Sequence, residues 1–173
     1  MTAIQPCEVP PDSLLRKYKG DNGYADCYVI EVPGRISQAA FIEAFYTSRL
    51  FKVERTILKL LASKPSTDGE ARQLANGSAD RFAAWRVEGQ TASELLLADF
   101  TGRTRSWLMA APVDGGTGAV GTRLHFGSAV VSRPHRDGRK AGMGWLFIAL
   151  LGFHRLYSRS LLRAAGKRVW STY

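Results

Sequence analysis

Residues 144–165, GWLFIALLGFHRLYSRSLLRAA, predict the longest helix of the chain. The segment from residue 141 to 154 carries no formal charge unless His154 is protonated, and residues 145–151 are apolar on every side. Fourteen residues of helix extend only about 21 Å, which is short of the ~30 Å hydrocarbon core of a bilayer. The pattern therefore favours a helix that is buried against a sheet. The alternative is an anchor that lies in a membrane surface.

The second half of this helix has two unlike faces. At about 100° per residue, three arginines spaced four apart form one stripe, while Tyr157 and Leu161 point the opposite way. His154 falls on the inward face with Phe147 and Leu150. An inward histidine is either a hydrogen-bonded core residue or a group that contacts a ligand as acid, base or donor. The stripe consists of Arg155, Arg159 and Arg163.

The rest of the chain predicts the sheet that this helix covers. A strand at 24–32 (YADCYVIEV) ends at a Pro-Gly turn, and helices are expected at 38–47, 49–62 and 69–75. Polar and apolar residues then alternate, which predicts four antiparallel strands. These strands cover residues 81–89, 93–100, 104–113 and 122–132. The fold class is therefore α+β, with an antiparallel sheet packed on a long C-terminal helix. At 173 residues the chain is expected to form one domain, spanning 1–173.

This order of elements resembles the helix-grip superfamily, the START/Bet v 1-like and polyketide-cyclase-like proteins. The resemblance covers residues 24–166 and follows the strand YADCYVIEV, the helix pair and the strand run. The ending, TRLHFGSAV at 122–130 with Arg133-Pro134 and Phe153-His154-Arg155, looks like a bacterial branch of unknown function. Residues 1–23 form an irregular lead-in and 64–80 an insertion. The resemblance implies a curved sheet around the helix and an apolar cavity between them, which binds a hydrophobic small molecule or catalyses its reaction.

The side chains expected to line that cavity follow from strand parity and helix phase. Phe126 shares an inward face with Leu124, whereas His125 points outward. The predicted ligand-binding set is Trp85, Trp107, Phe126, Phe147, Leu150 and His154. Each aromatic position is also compatible with plain core packing.

The sequence holds no recognisable catalytic or metal-binding constellation. Glu94 is the only acid whose strand parity is expected to face inward, and no GxSxG elbow is present. Cys7 and Cys27 lie twenty residues apart, so neither a disulfide-stapled scaffold nor a zinc ribbon is expected. The glycine-rich segment 114–121 lacks the lysine of a phosphate loop. No metal site and no cofactor are predicted, and His154 is the sole candidate for catalysis.

Charge separates the remaining function classes. The net charge is +9, and residues 133–173 contain nine basic residues and one acidic residue. Such asymmetry indicates an anionic partner or the wet face of an amphipathic helix. Nucleic-acid binding is not expected, because the basic residues do not alternate with exposed aromatics. The polar opening segment lacks a signal peptide, which predicts a cytoplasmic location.

Three functions follow. The favoured one is non-catalytic binding of a hydrophobic small molecule or lipid. The first alternative is a cyclase or dehydratase that uses His154 as acid or base. The second is a peripheral membrane or partner-binding protein that uses the basic C-terminal face.

Overall fold

The computed structural model describes residues 2–20, 24–63, 65–115, 119–131 and 145–171, and contains a seven-stranded sheet and four helices. The strands are β1 Gln5–Pro6, β2 Tyr24–Pro33, β3 Arg81–Phe82, β4 Trp85–Gln90, β5 Glu94–Asp99, β6 Thr104–Gly115 and β7 Ala119–Val130. The helices are α1 Gln38–Tyr46, α2 Arg49–Ala62, α3 Asp68–Ala75 and α4 Trp145–Trp170. A 3₁₀ turn covers Arg16–Tyr18.

The sheet has the strand order β1-β2-β7-β6-β5-β4-β3, and every neighbouring pair is antiparallel. Its two ends, β1 and β3, do not pair with each other, so the sheet is open. The first long strand, β2, lies beside the last strand, β7, although three helices and four strands separate them in sequence. The predicted α+β class, with a long C-terminal helix packed against an antiparallel sheet, is confirmed.

The helices begin where the sequence provides caps. The hydroxyl of Ser37 accepts the backbone N–H of Ala40, and the hydroxyl of Ser48 accepts that of Phe51. Thr67 and Glu70 form a reciprocal capping box at the start of α3. These caps define where α1, α2 and α3 begin.

The face of the sheet that carries the helices is called the inner face. Helices α1 and α4 pack on it through buried aromatic and aliphatic side chains, and α1 also packs against α3. On α4 the predicted division of faces is confirmed between residues 155 and 171: Leu161 and Leu162 are buried, while the three stripe arginines are exposed. The helix therefore covers the sheet with its apolar side and presents its basic side to solvent.

The opposite, outer face is covered by the N-terminal segment, residues 2–20. Here the expected irregular lead-in instead contributes strand β1, the 3₁₀ turn and a second hydrophobic cluster. Leu15 and Trp107 are fully buried in this cluster. The Glu94 carboxylate accepts hydrogen bonds from the Trp107 Nε1–H at 2.7 Å and from the Leu14 N–H at 2.8 Å. Both faces of the central strands are thus buried.

One predicted strand is divided in two. The segment expected as a single strand over 81–89 forms β3 and β4, joined by a turn in which Ala83 has φ = 52°. Strand β4 also contains a register shift between Val87 and Gly89. The short edge strand β3 results from this turn.

Candidate functional site

A cavity of about 670 Å³ lies between α2, the second half of α4 and the inner face of the sheet. Strands β4, β6 and β7 supply its floor. Its wall is mostly hydrocarbon and aromatic. The aromatic side chains that line it are Phe45, Phe51, Trp85, Phe126 and Tyr157.

Strand register places the floor residues of the cavity. Phe126 lies opposite Tyr28 on one side and Leu108 on the other, and all three belong to the inner face. Trp85 pairs with Phe82 across the β3–β4 turn. Helix α2 contributes residues at helical spacing, so that one of its sides faces the cavity. These are Leu50, Val53, Glu54 and Ile57.

The most distinctive polar feature of the cavity is a carboxyl–phenol pair. The hydroxyl of Tyr157 on α4 donates a hydrogen bond to Glu54 Oε2 on α2. Burial raises the pKa of Glu54 above its usual range, and the hydrogen bond from Tyr157 opposes this shift only in part. Burial also raises the pKa of Tyr157, and the neighbouring Glu54 adds to that shift. Both side chains therefore hold their own protons more tightly than usual, and the hydrogen bond between them links α2 to α4.

Two further polar atoms at the cavity lack a hydrogen-bond partner among the described residues: Trp85 Nε1 and Ser158 Oγ. Ser158 is only 1% exposed. Buried polar groups are nearly always hydrogen-bonded, so a group placed in the cavity could satisfy these two atoms. An indole N–H can only donate, whereas a hydroxyl donates and accepts.

The side of the cavity formed by α2 and α4 has an exposed apolar rim. Val53 is 57% exposed, Ile57 50% and Leu156 67%, although all three line the cavity. Exposed apolar side chains gathered beside a cavity are typical of a binding site. Within the described residues this rim is the apolar part of the cavity that solvent reaches most readily.

The structure brings together two of the six predicted ligand-binding residues. Trp85 and Phe126 both line the cavity. Trp107 does not, because it lies on the outer face, where its ring centroid is 6.0 Å from that of His125. Phe147, Leu150 and His154 belong to α4, but their side chains lie outside the described residues.

The position of Trp107 corrects the parity expected in β6. The expectation that Trp107 lines the cavity assumes that the apolar parity of its strand faces inward. In fact Ser106 and Leu108 face inward, and Trp107 packs under the N-terminal segment. The same reversal places Glu94, expected inward, on the outer face. The alternation of polar and apolar residues does not identify the inner face here, because both faces of β5 and β6 are buried.

The cavity residues that the sequence did not predict include Glu54, Tyr157 and Ser158. A signal existed for the first of them. Glu54 follows Leu50 by four residues and thus lies on the apolar side of α2, where a carboxylate is out of place. Tyr157 was placed opposite the arginine stripe, but nothing in the sequence connected it with α2. No local pattern reports such a contact between distant helices.

One group of side chains in the described part of the chain has the composition of a metal site. The ligand atoms of Cys7, Cys27 and His125 all lie within 4.8 Å of one another. The trio lies on the outer face, across the sheet from the cavity. Its spacing in sequence matches no zinc motif, which is why residue spacing did not reveal it.

None of the helices in the described part of the chain is long and apolar enough to cross a lipid bilayer.

Comparison with known proteins does not assign this chain to a family. No protein-family model matches this chain, and no curated protein matches it either.

Proposed function

We propose that this chain binds a mostly apolar small molecule or lipid in the cavity between α2, α4 and the sheet, without transforming it. The single observation that carries the proposal is the cavity itself. Its volume of about 670 Å³ falls inside the range of small-molecule pockets, roughly 300–1,000 Å³. Apolar walls with a few polar groups are also the usual make-up of such pockets.

The fold supports the same proposal. A strand, a set of helices, an antiparallel sheet and a long C-terminal helix follow one another along the chain, as in the helix-grip superfamily. We place the chain in that superfamily as part of the proposal. Its members enclose a ligand between the sheet and the C-terminal helix, which is where the cavity lies.

The polar groups of the cavity define the chemistry of the ligand. The Trp85 N–H donates and has no acceptor among the described residues, so the ligand should carry a hydrogen-bond acceptor such as a carbonyl or hydroxyl oxygen. A buried, mostly apolar cavity disfavours a charged ligand that finds no partner of opposite charge there. The one arginine of the lining, Arg105, is already paired with Glu88 at 2.5 Å. We therefore propose a neutral lipophile with one or two oxygen functions.

Native mass spectrometry of the purified protein tests the proposal first, since a co-purified molecule would appear as a mass adduct. Calorimetric titration with 1-decanol and with decanoate at pH 8 then tests the ligand's charge. We expect 1-decanol to bind at least tenfold more tightly, a difference of about 1.4 kcal/mol. Absence of any adduct together with absence of 1-decanol binding would reject the proposal.

A pair of variants on β7 localises the binding. Val130 lines the cavity and is 37% exposed, so Val130→Trp should fill part of the cavity without disturbing the core. Val120 lies on the same strand and the same face, is 45% exposed and lies outside the cavity lining, so Val120→Trp is the matched control. The first variant should weaken 1-decanol binding about tenfold, and the second should leave it unchanged.

A second candidate is an acid–base enzyme, and the Glu54–Tyr157 pair is the observation that favours it. A carboxyl whose pKa is raised by burial inside a cavity is the type of group that general acid catalysis uses. His154 remains the acid or base proposed from sequence for a cyclase or dehydratase. Re-incubation of the co-purified molecule with protein separates the two candidates. Recovery with unchanged mass and unchanged chromatographic retention supports binding, whereas loss of water, or a product of equal mass but different retention, supports the enzyme.

A further inference from the structure

Two cysteines and a histidine meet on the outer face, away from the cavity. Cys7 follows β1, and its backbone N–H donates to the carbonyl oxygen of Cys27 at 2.9 Å, so the two residues face each other across adjacent strands. Their sulfur atoms are 2.6 Å apart. The Nδ1 atom of His125 lies 3.8 Å from the Cys7 sulfur and 3.9 Å from the Cys27 sulfur.

The backbone around the two cysteines already has the spacing of a disulfide. Residues that face each other in an antiparallel pair have Cα atoms about 4.5–5.5 Å apart, inside the roughly 4.4–6.8 Å range of disulfides. The sulfur–sulfur contact is closer to the ~2.05 Å of a covalent bond than to the separation of two ligands on a tetrahedral zinc ion, which is about 3.8 Å. Bond formation thus needs a smaller movement than metal binding does.

The two thiols differ in a way that suits stepwise exchange. Cys7 is half-buried, whereas Cys27 is 3% exposed. The close contact with Cys27 holds the pKa of the Cys7 thiol below its usual range, and His125 lowers it further, although burial opposes both. The contact with Cys7 and burial together raise the pKa of Cys27. Cys7 is therefore the accessible thiolate, and Cys27 is the buried partner.

We propose that Cys7 and Cys27 form a redox-active dithiol, which a small-molecule disulfide converts into an intramolecular disulfide that fastens the N-terminal segment to the sheet. The Cys7 thiolate attacks one sulfur of the oxidant, and the other half leaves as a thiolate. The Cys27 sulfur then loses its proton, with His125 as a base at 3.9 Å, attacks the Cys7 sulfur and expels the second half. Two protein thiols are oxidised, and one disulfide is reduced to two thiols.

The bond would join two layers of the molecule. Cys7 belongs to the N-terminal segment, whose Leu15 packs with Trp107 on the outer face, and Cys27 belongs to β2, the strand next to the β1 edge of the sheet. Closing the chain between residues 7 and 27 restricts the unfolded state, so oxidation should raise the melting temperature by about 5–12 °C. The cavity lies on the inner face and the two cysteines lie on the outer face, so the inference is independent of the proposed function.

Glutathione disulfide provides the test on the full chain. Protein reduced with dithiothreitol and then freed of it should lose about 2 Da on exposure and gain no lasting adduct. Cys27→Ser should instead retain a glutathione of about 305 Da on Cys7, because no second thiol can release it. Cys7→Ser should stay unmodified, since Cys27 is buried. The rise in melting temperature should occur in the wild type alone.

Three outcomes would overturn the proposal. The first is a lasting glutathione adduct on wild-type Cys7, and the second is no reaction at either cysteine in the folded protein. The third is one equivalent of zinc in the purified protein that disappears in His125→Gln, since a metal site needs the imidazole and a disulfide does not. His125→Gln should still form the disulfide, but more slowly than the wild type, because the base beside the Cys27 sulfur is then missing.

Discussion

Gly127 on β7 lies where three parts of the outer face meet. A Cβ atom at this position would lie 2.5 Å from Leu15 Cδ2, 3.0 Å from the Asp26 carbonyl oxygen and 3.0 Å from Trp107 Cε3. Since a backbone oxygen and a buried indole cannot move far, no side chain fits here. The absence of a side chain is what allows the N-terminal segment to approach the sheet.

Gly127→Ala should therefore destabilise the protein by about 1–3 kcal/mol through overpacking. Gly121→Ala on the same strand is the matched control. Its added Cβ would come no closer than 3.4 Å to a neighbour, so its effect should stay within about 0.5 kcal/mol. Urea unfolding followed by far-UV circular dichroism measures both. Equal effects in the two variants would mean that the outer layer is loosely packed.

Glu54 should make the stability of the protein depend on pH. Its pKa is raised by burial, so the folded state binds this proton more tightly than the unfolded state does. The resulting stability is present at pH values below the unfolded pKa, about 4.3, and is lost as the pH rises through the folded pKa. Glu54→Gln keeps a neutral group at the site. The variant should thus gain stability relative to the wild type as the pH rises from 4 to 8.

Urea unfolding at several pH values across this range measures the difference. Glu43→Gln removes a carboxylate from the neighbouring helix α1, where Glu43 pairs with Arg72 on the surface, and it controls for the general loss of a negative charge. If the difference between Glu54→Gln and the wild type does not change with pH, Glu54 does not retain its proton in the folded protein.

At the scale of single elements, the sequence predicted type and order better than orientation. The helix start at Ser37, the amphipathic pattern of α2 and the arginine stripe of α4 were all predicted from local periodicity and capping. The orientation of β5 and β6 was not, because apolar residues occupy both parities. A two-residue period of hydrophobicity identifies the buried face of a strand only when the other face is exposed to solvent.

Only the buried side of helix α4 should contribute to the stability of the protein. Leu162 is fully buried in the main core, whereas Leu156, six residues earlier, is 67% exposed. Leu162→Ala should therefore cost about 2–5 kcal/mol, the range for a buried leucine that leaves a cavity. Leu156→Ala should cost less than about 0.5 kcal/mol. Denaturant unfolding measures both values, and a small cost for Leu162→Ala would mean that α4 is not a core helix.

At the scale of the whole molecule, the sheet is a central layer between two different covers. Helices cover the inner face, and the N-terminal segment covers the outer face. The sequence predicted the first cover from helical periodicity over many residues. It did not predict the second, because residues 2–20 are rich in proline and polar groups and have little regular structure of their own. Their fold depends on contacts with distant strands, which local patterns do not encode.

The candidate site divides in the same way. Trp85 and Phe126 were predicted because each lies on a strand with one clear parity toward the helices. The Glu54–Tyr157 pair joins positions 103 residues apart, and Cys7 lies near His125 across 118 residues. Such contacts follow from strand order and helix placement. They become visible only when the three-dimensional arrangement is known.

The outer cover should be part of the cooperative fold. Deletion of residues 2–18 would remove Val9 and Leu15 and expose Trp107, which is fully buried. Since burial of each aliphatic side chain contributes about 1.5–3 kcal/mol, the truncated chain should lose at least about 3 kcal/mol. Its tryptophan emission should shift to longer wavelength, and the shift should be absent when the deletion is made in a Trp107→Phe background.

Leu15→Ala in the full chain keeps this prediction testable if the truncated protein proves insoluble. It should cost about 2–5 kcal/mol, because Leu15 is fully buried against the sheet. Arg16→Ala, at the exposed neighbouring position, should leave stability within about 0.5 kcal/mol of the wild type. Circular dichroism and tryptophan emission should follow a single transition in the wild type, since the N-terminal segment cannot detach without exposing the core beneath it. An early transition in emission alone would show instead that the N-terminal segment unfolds as a separate unit.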